Sequence, residues 1–200
     1  MPENHTIYQL KISLNDIKPP IWRRVLVEGN TLLGNLHLTI QLAMGWGNCH
    51  LYEFDIDKIS YMPSMPVENP FMLEEEAEDV AKNTLEDAVS GRRIKFKYIY
   101  DMGDDWVHDI KVEKTLPHEE GAVYPRCVEG ERACPPEDCG GIWGYSDILK
   151  IIADPKDESY EETLEWLGGK FNPEAFDLNA VNKELAKHFK KRTPKKKKVS

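Results

Sequence analysis

The segment Asp101-Met102-Gly103-Asp104-Asp105-Trp106-Val107-His108-Asp109 holds the densest set of groups that could do chemistry. Asp101, Asp104 and Asp105 put three carboxylates in one tight turn, an oxygen-rich arrangement suited to a hard cation. No twelve-residue ligand ladder ending in Glu follows, so the calcium helix-loop-helix pattern is absent. The same residues also suit a Gly-Asp hairpin turn whose acids face solvent. Counting in twos puts His108 on the side of Trp106, Ile110 and Val112. An imidazole there is either a packed core histidine or a group with tuned protonation.

Two more histidines belong to the same question. His37 falls at the edge of an apolar helical stripe, and His50 immediately precedes a strand pattern beginning at Leu51. Either can face a cleft with His108, and three His with a carboxylate suit zinc or another divalent cation. Cys127, Cys134 and Cys139 follow a C-x6-C-x4-C spacing, wider than the paired cysteines of zinc ribbons. They read as a weak zinc set or as free thiols. Cys134-Pro135-Pro136-Glu137-Asp138-Cys139-Gly140-Gly141 forces an unusual backbone path. Glu137 and Asp138 in it are candidate ligands or acid/base groups, or caps for a following helix. The sequence has no phosphate-binding G-x-x-x-x-G-K-[ST] loop, no dinucleotide-binding G-x-G-x-x-G, no G-x-S-x-G elbow and no His-Glu-x-x-His.

The elements that must position these groups are read from periodicity. Tyr8, Leu10, Ile12 and Leu14 alternate with Gln9, Lys11 and Ser13, which marks a half-buried strand. Ile21–Val27 follows as its hairpin partner. Thr31 is a candidate cap for a helix to Met44, stopped by Gly45. Leu51–Ile56 alternates again. Residues 57–83, with Pro63, Pro66, Pro70 and the acidic run from Glu74 to Asp79, read as an irregular acidic insertion. Thr84 to Asp87 resembles a cap opening a short helix that stops at Gly91. Ile94–Tyr100 and Trp106–Glu113 make a second hairpin, and residues 117–144 read as loop. Helices are expected over Asp147–Ala153, Tyr160–Leu167 with a Ser159/Glu162 capping box, and Leu178–Phe189 with Asp177 as cap. Strands followed by helices give an α+β fold: a mixed or antiparallel sheet of two hairpins and an extra strand, packed on helices, compatible with a β-grasp-like sheet.

The 200 residues suggest a single α+β domain over residues 1–190, with C-terminal helices from about 146 to 190. Forty per cent hydrophobic and 30% charged residues fit a globular protein that buries a core. No apolar run reaches the ~20 residues of a membrane span. The N-terminus has no basic segment leading into an apolar one, so no signal peptide is expected and the location is read as cytoplasmic. Formal net charge is −9, yet eight positives fall within residues 187–198. Removing those eight from 26 basic residues leaves 18 against 35 acids, net −17. Such a body repels phosphate backbones. Residues 191–200 read as a basic, disordered tail, and Lys195, Lys196, Lys197 and Lys198 are its candidate contacts to nucleic acid.

Several segments taken in order resemble the plasmid pRiA4b ORF-3-like family. They are Pro20-Ile21-Trp22-Arg23-Arg24, Leu36-His37, Gly45-Trp46, His50-Leu51-Tyr52-Glu53-Phe54, Tyr100 to His108, Cys134 to Gly141, and Gly144-Tyr145. The family usually carries Phe where this chain has Met102. The resemblance implies a link to mobile-element biology, since some members carry a resolvase label and some are joined to DNA-binding domains. No Ser stands among several Arg here, as a serine-recombinase site needs. The resemblance also adds Trp22 to the candidate cleft of His37, His50, Asp101, Asp104, Asp105, Trp106, His108, Glu137 and Asp138. Three readings follow: a binding or interaction module, a metal-dependent hydrolase or nuclease, and a metal-free enzyme with His108 as base.

Overall fold

A computed structural model describes residues 6–64, 77–90 and 94–189. Its strands are β1 (Ile7–Leu14), β2 (Trp22–Glu28), β3 (Tyr52–Ile56), β4 (Ile59–Met62), β5 (Glu78–Asp79), β6 (Lys95–Tyr100), β7 (Trp106–Leu116) and β8 (Arg126–Glu131). They form one sheet in the order β5-β4-β3-β6-β7-β1-β2-β8. Every neighbouring pair is antiparallel except β4–β5 at the edge. The helices are α1 (Leu33–Met44), α2 (Leu85–Val89), α3 (Gly141–Ala153), α4 (Tyr160–Trp166) and α5 (Leu178–His188). The fold is α+β, and among the described residues no helix is long and apolar enough to cross a membrane.

Alternation explains the central strands. Tyr8, Leu10, Ile12 and Leu14 of β1 are buried, while Gln9, Lys11 and Ser13 are partly exposed on the other face. Phe96, Tyr98 and Tyr100 of β6 join them in the core with Trp106 and Ile110 of β7. Leu33, Leu36, Ile40, Ala43 and Met44 of α1 close over that face. Such burial is worth roughly 1.5–3 kcal/mol per large side chain. Gly45 ends α1 at φ +96° with its N–H on the Gln41 carbonyl, a left-handed stop that glycine adopts freely.

Several expectations need correction. The sheet has three strands beyond the expected five. β4 lies inside the segment expected to be irregular: Asp57 (φ 54°) and Lys58 (φ 70°) form a two-residue turn that returns the chain onto β3. β5 follows within the same segment, and residues 65–76 of it lie outside the described ones. β8 lies inside the expected 117–144 loop and pairs with β2. Its other edge is closed by Asn182 of α5, whose Oδ1 accepts the Cys127 N–H and whose Nδ2 donates to the Cys127 carbonyl, both at 2.8 Å. That side chain copies a strand's pairing and blunts an edge. α3 begins six residues before Asp147, at Gly141. Thr31 does not cap α1: Leu32 holds the N-cap position with no side-chain bond, because the backbone there bridges to Thr84 and the Thr31 carbonyl accepts the Leu85 N–H. Ser159 makes no cap bond to α4 either, since its φ/ψ of −94°/1° is not the extended geometry a cap uses. Thr84 and Asp177 do cap α2 and α5. Gly91 and the tail from residue 190 lie outside the described residues.

Candidate functional site

Three separated segments meet at one end of the sheet. They are the loop from Trp46 to His50 after α1, the Asp101–Asp105 turn between β6 and β7, and the Cys134–Gly140 loop before α3. Backbone contacts hold them together. The Asp101 N–H donates to the Leu51 carbonyl at 2.9 Å, and Trp46 Nε1 donates to the Pro135 carbonyl at 2.9 Å. Gly140 N–H donates to Asp104 Oδ2 at 3.1 Å. Gly141, at φ +65°, lies so close to the turn that a Cβ there would stand 2.5 Å from the Asp104 carbonyl oxygen. Glycine is required at this crossing for both reasons.

Inside this junction His50 Nε2 faces three carboxylates: Asp138 Oδ1 at 3.1 Å, Asp101 Oδ2 at 3.5 Å and Glu137 Oε2 at 3.7 Å. The nitrogen is closed to solvent, yet none of these approaches lies along its hydrogen-bonding direction. His50, Asp101 and Asp138 each offer one ligand atom, and the three atoms lie within 4.8 Å of one another. Among the described residues this is the only such set of three or more His, Cys, Asp or Glu. Asp101 is buried, with φ 59°, and its Oδ1 accepts the Gly103 N–H at 2.9 Å, which turns Oδ2 toward His50. Glu137 Oε1 accepts the Gly47 N–H at 2.7 Å and the Tyr100 hydroxyl at 3.1 Å. Tyr100 accepts the Cys49 N–H in turn. Burial pushes the Tyr100 hydroxyl up, and neighbouring Glu137 adds to this, so it stays a donor.

A profile of the plasmid pRiA4b ORF-3-like proteins matches residues 6–180. This chain belongs to that family. It is similar to the uncharacterised protein y4hQ of Sinorhizobium fredii (strain NBRC 101917 / NGR234), 38% identical over 186 residues that span 90% of this chain and 91% of that one. It is also similar to a solved structure, the protein of unknown function MM3350 from Methanosarcina mazei Go1. There the identity is 36% and the TM-score 0.78, over 88% of this chain and 97% of that one.

In this pRiA4b ORF-3-like protein the other candidate residues lie elsewhere. Trp22 sits on the opposite sheet face, with Lys11 and Arg24 against its ring and its Nε1 bonded to Glu131. Asp105 is exposed and Trp106 is wholly buried. His108 is wholly buried as well. Its Nδ1 lies 2.9 Å from the Trp106 carbonyl, which makes Nδ1 the donor, and burial pulls its pKa down to about 4. Its Nε2 has no partner among the described residues and packs among aromatic rings, not in the site. The three sulfurs of Cys127, Cys134 and Cys139 do not converge as a ligand set. Cys127 is buried on β8, Cys134 sits against Met44 and Arg23, and Cys139 is near the Gly141 carbonyl. Burial pushes their thiols to about 11, 11 and 12, so they stand as neutral free thiols.

His37 supports the site from behind. The Asn48 N–H fixes Gln41 Oε1 as acceptor, so Gln41 Nε2 donates to Tyr98. The Tyr98 hydroxyl must then donate to His37 Nδ1 at 2.8 Å, leaving Nε2–H to donate to Asn48 Oδ1 at 2.6 Å. The ring is neutral, lies flat on Tyr52 at 3.5 Å, and is pulled down to about 4 by burial. It orients Asn48 (φ 57°), two residues before His50. Tyr98, Asn48 and Gln41 are not among the expected site residues, and Tyr100 enters only within the matched Tyr100 to His108 segment; the strand tyrosines read as core, and nothing local marks Gln41 or Asn48.

Proposed function

We propose that the protein is a metal-dependent hydrolase whose divalent cation is held by His50, Asp101 and Asp138. The observation that carries this reading is the solvent-closed His50 Nε2, which faces carboxylates without a hydrogen bond to any of them. One imidazole with carboxylates suits zinc or manganese. Left-handed backbone at Asn48, Asp101 and Asp138 supports it, since such strain concentrates at working sites. A bound cation supplies a water that deprotonates near neutral pH. Glu137, fixed by Gly47 and Tyr100, is the group beside it that takes the proton. Free, reduced cysteines accord with a cytoplasmic location. Elemental analysis of unchelated protein is expected to find about one divalent metal per chain. Asp101→Asn and His50→Ala are expected to weaken zinc binding by roughly 100-fold or more. Protein that is metal-free as isolated and silent in zinc and manganese titrations overturns the reading.

A second reading, an interaction module for nucleic acid, is favoured by one specific observation. Lys95, Lys111, Lys11 and Arg24 stand directly opposite one another across β6, β7, β1 and β2, on the sheet face away from α1. Arg24 is balanced by Glu113 and Glu129. The lysine row is not ion-paired among the described residues. Lys195 to Lys198 lie outside the described residues and join this reading through charge alone. Binding to single-stranded DNA that weakens steeply with salt, and that is weaker and less salt-dependent in a Lys95→Glu/Lys111→Glu variant, is its test. Binding insensitive to salt and to the double variant removes it.

A further inference from the structure

A cavity of about 490 Å³ adjoins the site, and Trp46, Pro135, Pro136, Trp166 and Phe171 line it together with Glu137 and Asp138. Its volume fits a small ligand or a few side chains. Among the described residues no Lys, Arg or His lines it. The one other ionisable group, the Cys134 thiol, stays neutral because burial raises it. A second cavity of about 310 Å³ lies across the Trp166 indole, and Asp138 and Glu162 line it. Trp166 therefore stands between two hollows that each carry carboxylates.

Among the described residues three other aromatic rings are covered by cations: Trp22 by Lys11 and Arg24, Phe176 by Arg23, and Tyr124 by Arg126. Trp166 is 52% exposed, and among the described residues no cation lies over it. Asp138 Oδ1 points to His50, while its Oδ2 has no hydrogen bond among the described residues. An aromatic hollow with two carboxylates in its lining and, among the described residues, no cation repels carboxylates and phosphates. It leaves a purely apolar guest with desolvated acids beside it. It matches a cation on an apolar stem, because the stem covers the ring while the charge meets both the indole face and a carboxylate.

We propose that this cavity binds the side chain of a lysine in a peptide, with the methylenes along Trp166 and the ammonium group between the indole and Asp138 or Glu162. The peptide is the substrate class of the hydrolytic site beside it. That assignment rests on the metal reading, but the binding itself does not. Glu137 separates the two functions by facing both.

The test uses the full chain labelled with ¹⁵N, with the Trp46 and Trp166 indole N–H signals as reporters. The probes are three capped tripeptides, Ala-Lys-Ala, Ala-norleucine-Ala and Ala-Glu-Ala, each titrated with EDTA and again with zinc. The lysine peptide is expected to shift both indole signals in EDTA, with the norleucine peptide roughly tenfold weaker and the glutamate peptide silent. Trp166→Ala, on an exposed helix face, is expected to abolish the Trp46 shift, and Glu162→Gln to weaken binding several-fold. Equal binding of lysine and norleucine peptides overturns the proposal, as does binding of the glutamate peptide or an absence of shifts at both indoles. Peptide binding without any zinc response leaves this site standing and removes the metal reading. A zinc response with silent indoles does the reverse.

Discussion

Lowering the pH from 7 to 5 is expected to remove about 4 kcal/mol of folding stability through two buried rings. His37 and His108 are 2% and 0% exposed, and burial pulls each from 6.5 down to about 4. The unfolded chain keeps the ordinary value, so between pH 6.5 and 4 it binds protons that the folded chain refuses. Stability is whole above the unfolded value, falls through this window, and levels out below the folded one. A 2.5-unit gap amounts to about 3 kcal/mol per ring in full, and about 2 kcal/mol of it is lost by pH 5. Neither ring is exposed enough for solvent screening to reduce that. Glu113 and Asp79, whose carboxyls are held below their ordinary values by Arg24 and by the Ala81 N–H respectively, act in the same direction but further into acid. Stopping at pH 5 therefore isolates the histidines. Urea unfolding at pH 7, 6 and 5 is the assay, with His37→Gln as the second arm. The variant is expected to be less stable at pH 7 and to lose about half the slope. Wild-type stability that is flat to within ~1 kcal/mol over this range refutes the reasoning, and so does a variant that keeps the full slope.

Gly140 and Gly141 separate conformational strain from steric clash. Gly140→Ala meets only Gly144 Cα at 3.7 Å and is expected to cost about 1–2 kcal/mol for its positive φ, while Gly141→Ala adds backbone overlap and is expected to cost about 2–5 kcal/mol in thermal unfolding. Equal costs contradict the close crossing at Asp104. Asn182→Ala removes both bonds to Cys127 and is expected to cost about 1–3 kcal/mol, with faster amide exchange along β8 before other strands. Unchanged exchange at Cys127 means that the edge is held by something else. In thiol labelling of native protein at pH 8, exposed Cys49 is expected to react first and Cys127, Cys134 and Cys139 only on unfolding. Fast labelling of Cys134 contradicts a thiol held neutral at pH 8.

The core strands and α1 were legible because their sequence period matches one buried face. β8 was not, since Arg126-Cys127-Val128-Glu129-Gly130-Glu131 buries only Cys127, and Gly130 serves packing: a Cβ there would stand 2.7 Å from the Phe176 ring. β4 was hidden by a turn whose Lys58 is an unusual left-handed residue. The start of α3 was hidden because Gly140, Gly141 and Gly144 read as breakers, whereas they permit close approach, Gly144 lying against the Cys139 carbonyl. At the site, Asp101, Glu137, Asp138 and His50 were named from side-chain chemistry alone. Which of the many candidates converge was not legible, because convergence depends on backbone contacts between loops about 50 and 35 residues apart, which leave no local period. Trp22 and His108 show the limit from the other side, since counting in twos says which face a residue takes but not how far along the sheet it lies.

The acids at this junction face an imidazole, and among the described residues no lysine or arginine pairs with them. Like charges held together oppose folding, so the loops must be kept in place by something else. Stacking of Trp46 on Tyr100, the Trp46–Pro135 bond and the Gly141 crossing supply that hold. The arrangement then has the character of a site kept at some expense of stability. Asp138→Asn tests this cleanly, because Asn is isosteric and tolerates the observed φ of 55°. Metal-free protein carrying it is expected to be more stable by about 0.5–1 kcal/mol, a rise of roughly 1–4 °C in Tm. The same variant is expected to lose the stabilisation that zinc gives the native chain. A lower Tm in the metal-free variant shows instead that His50 and Asp138 form an ion pair that fastens the loops, which makes the cluster structural and removes the main support for a cation there.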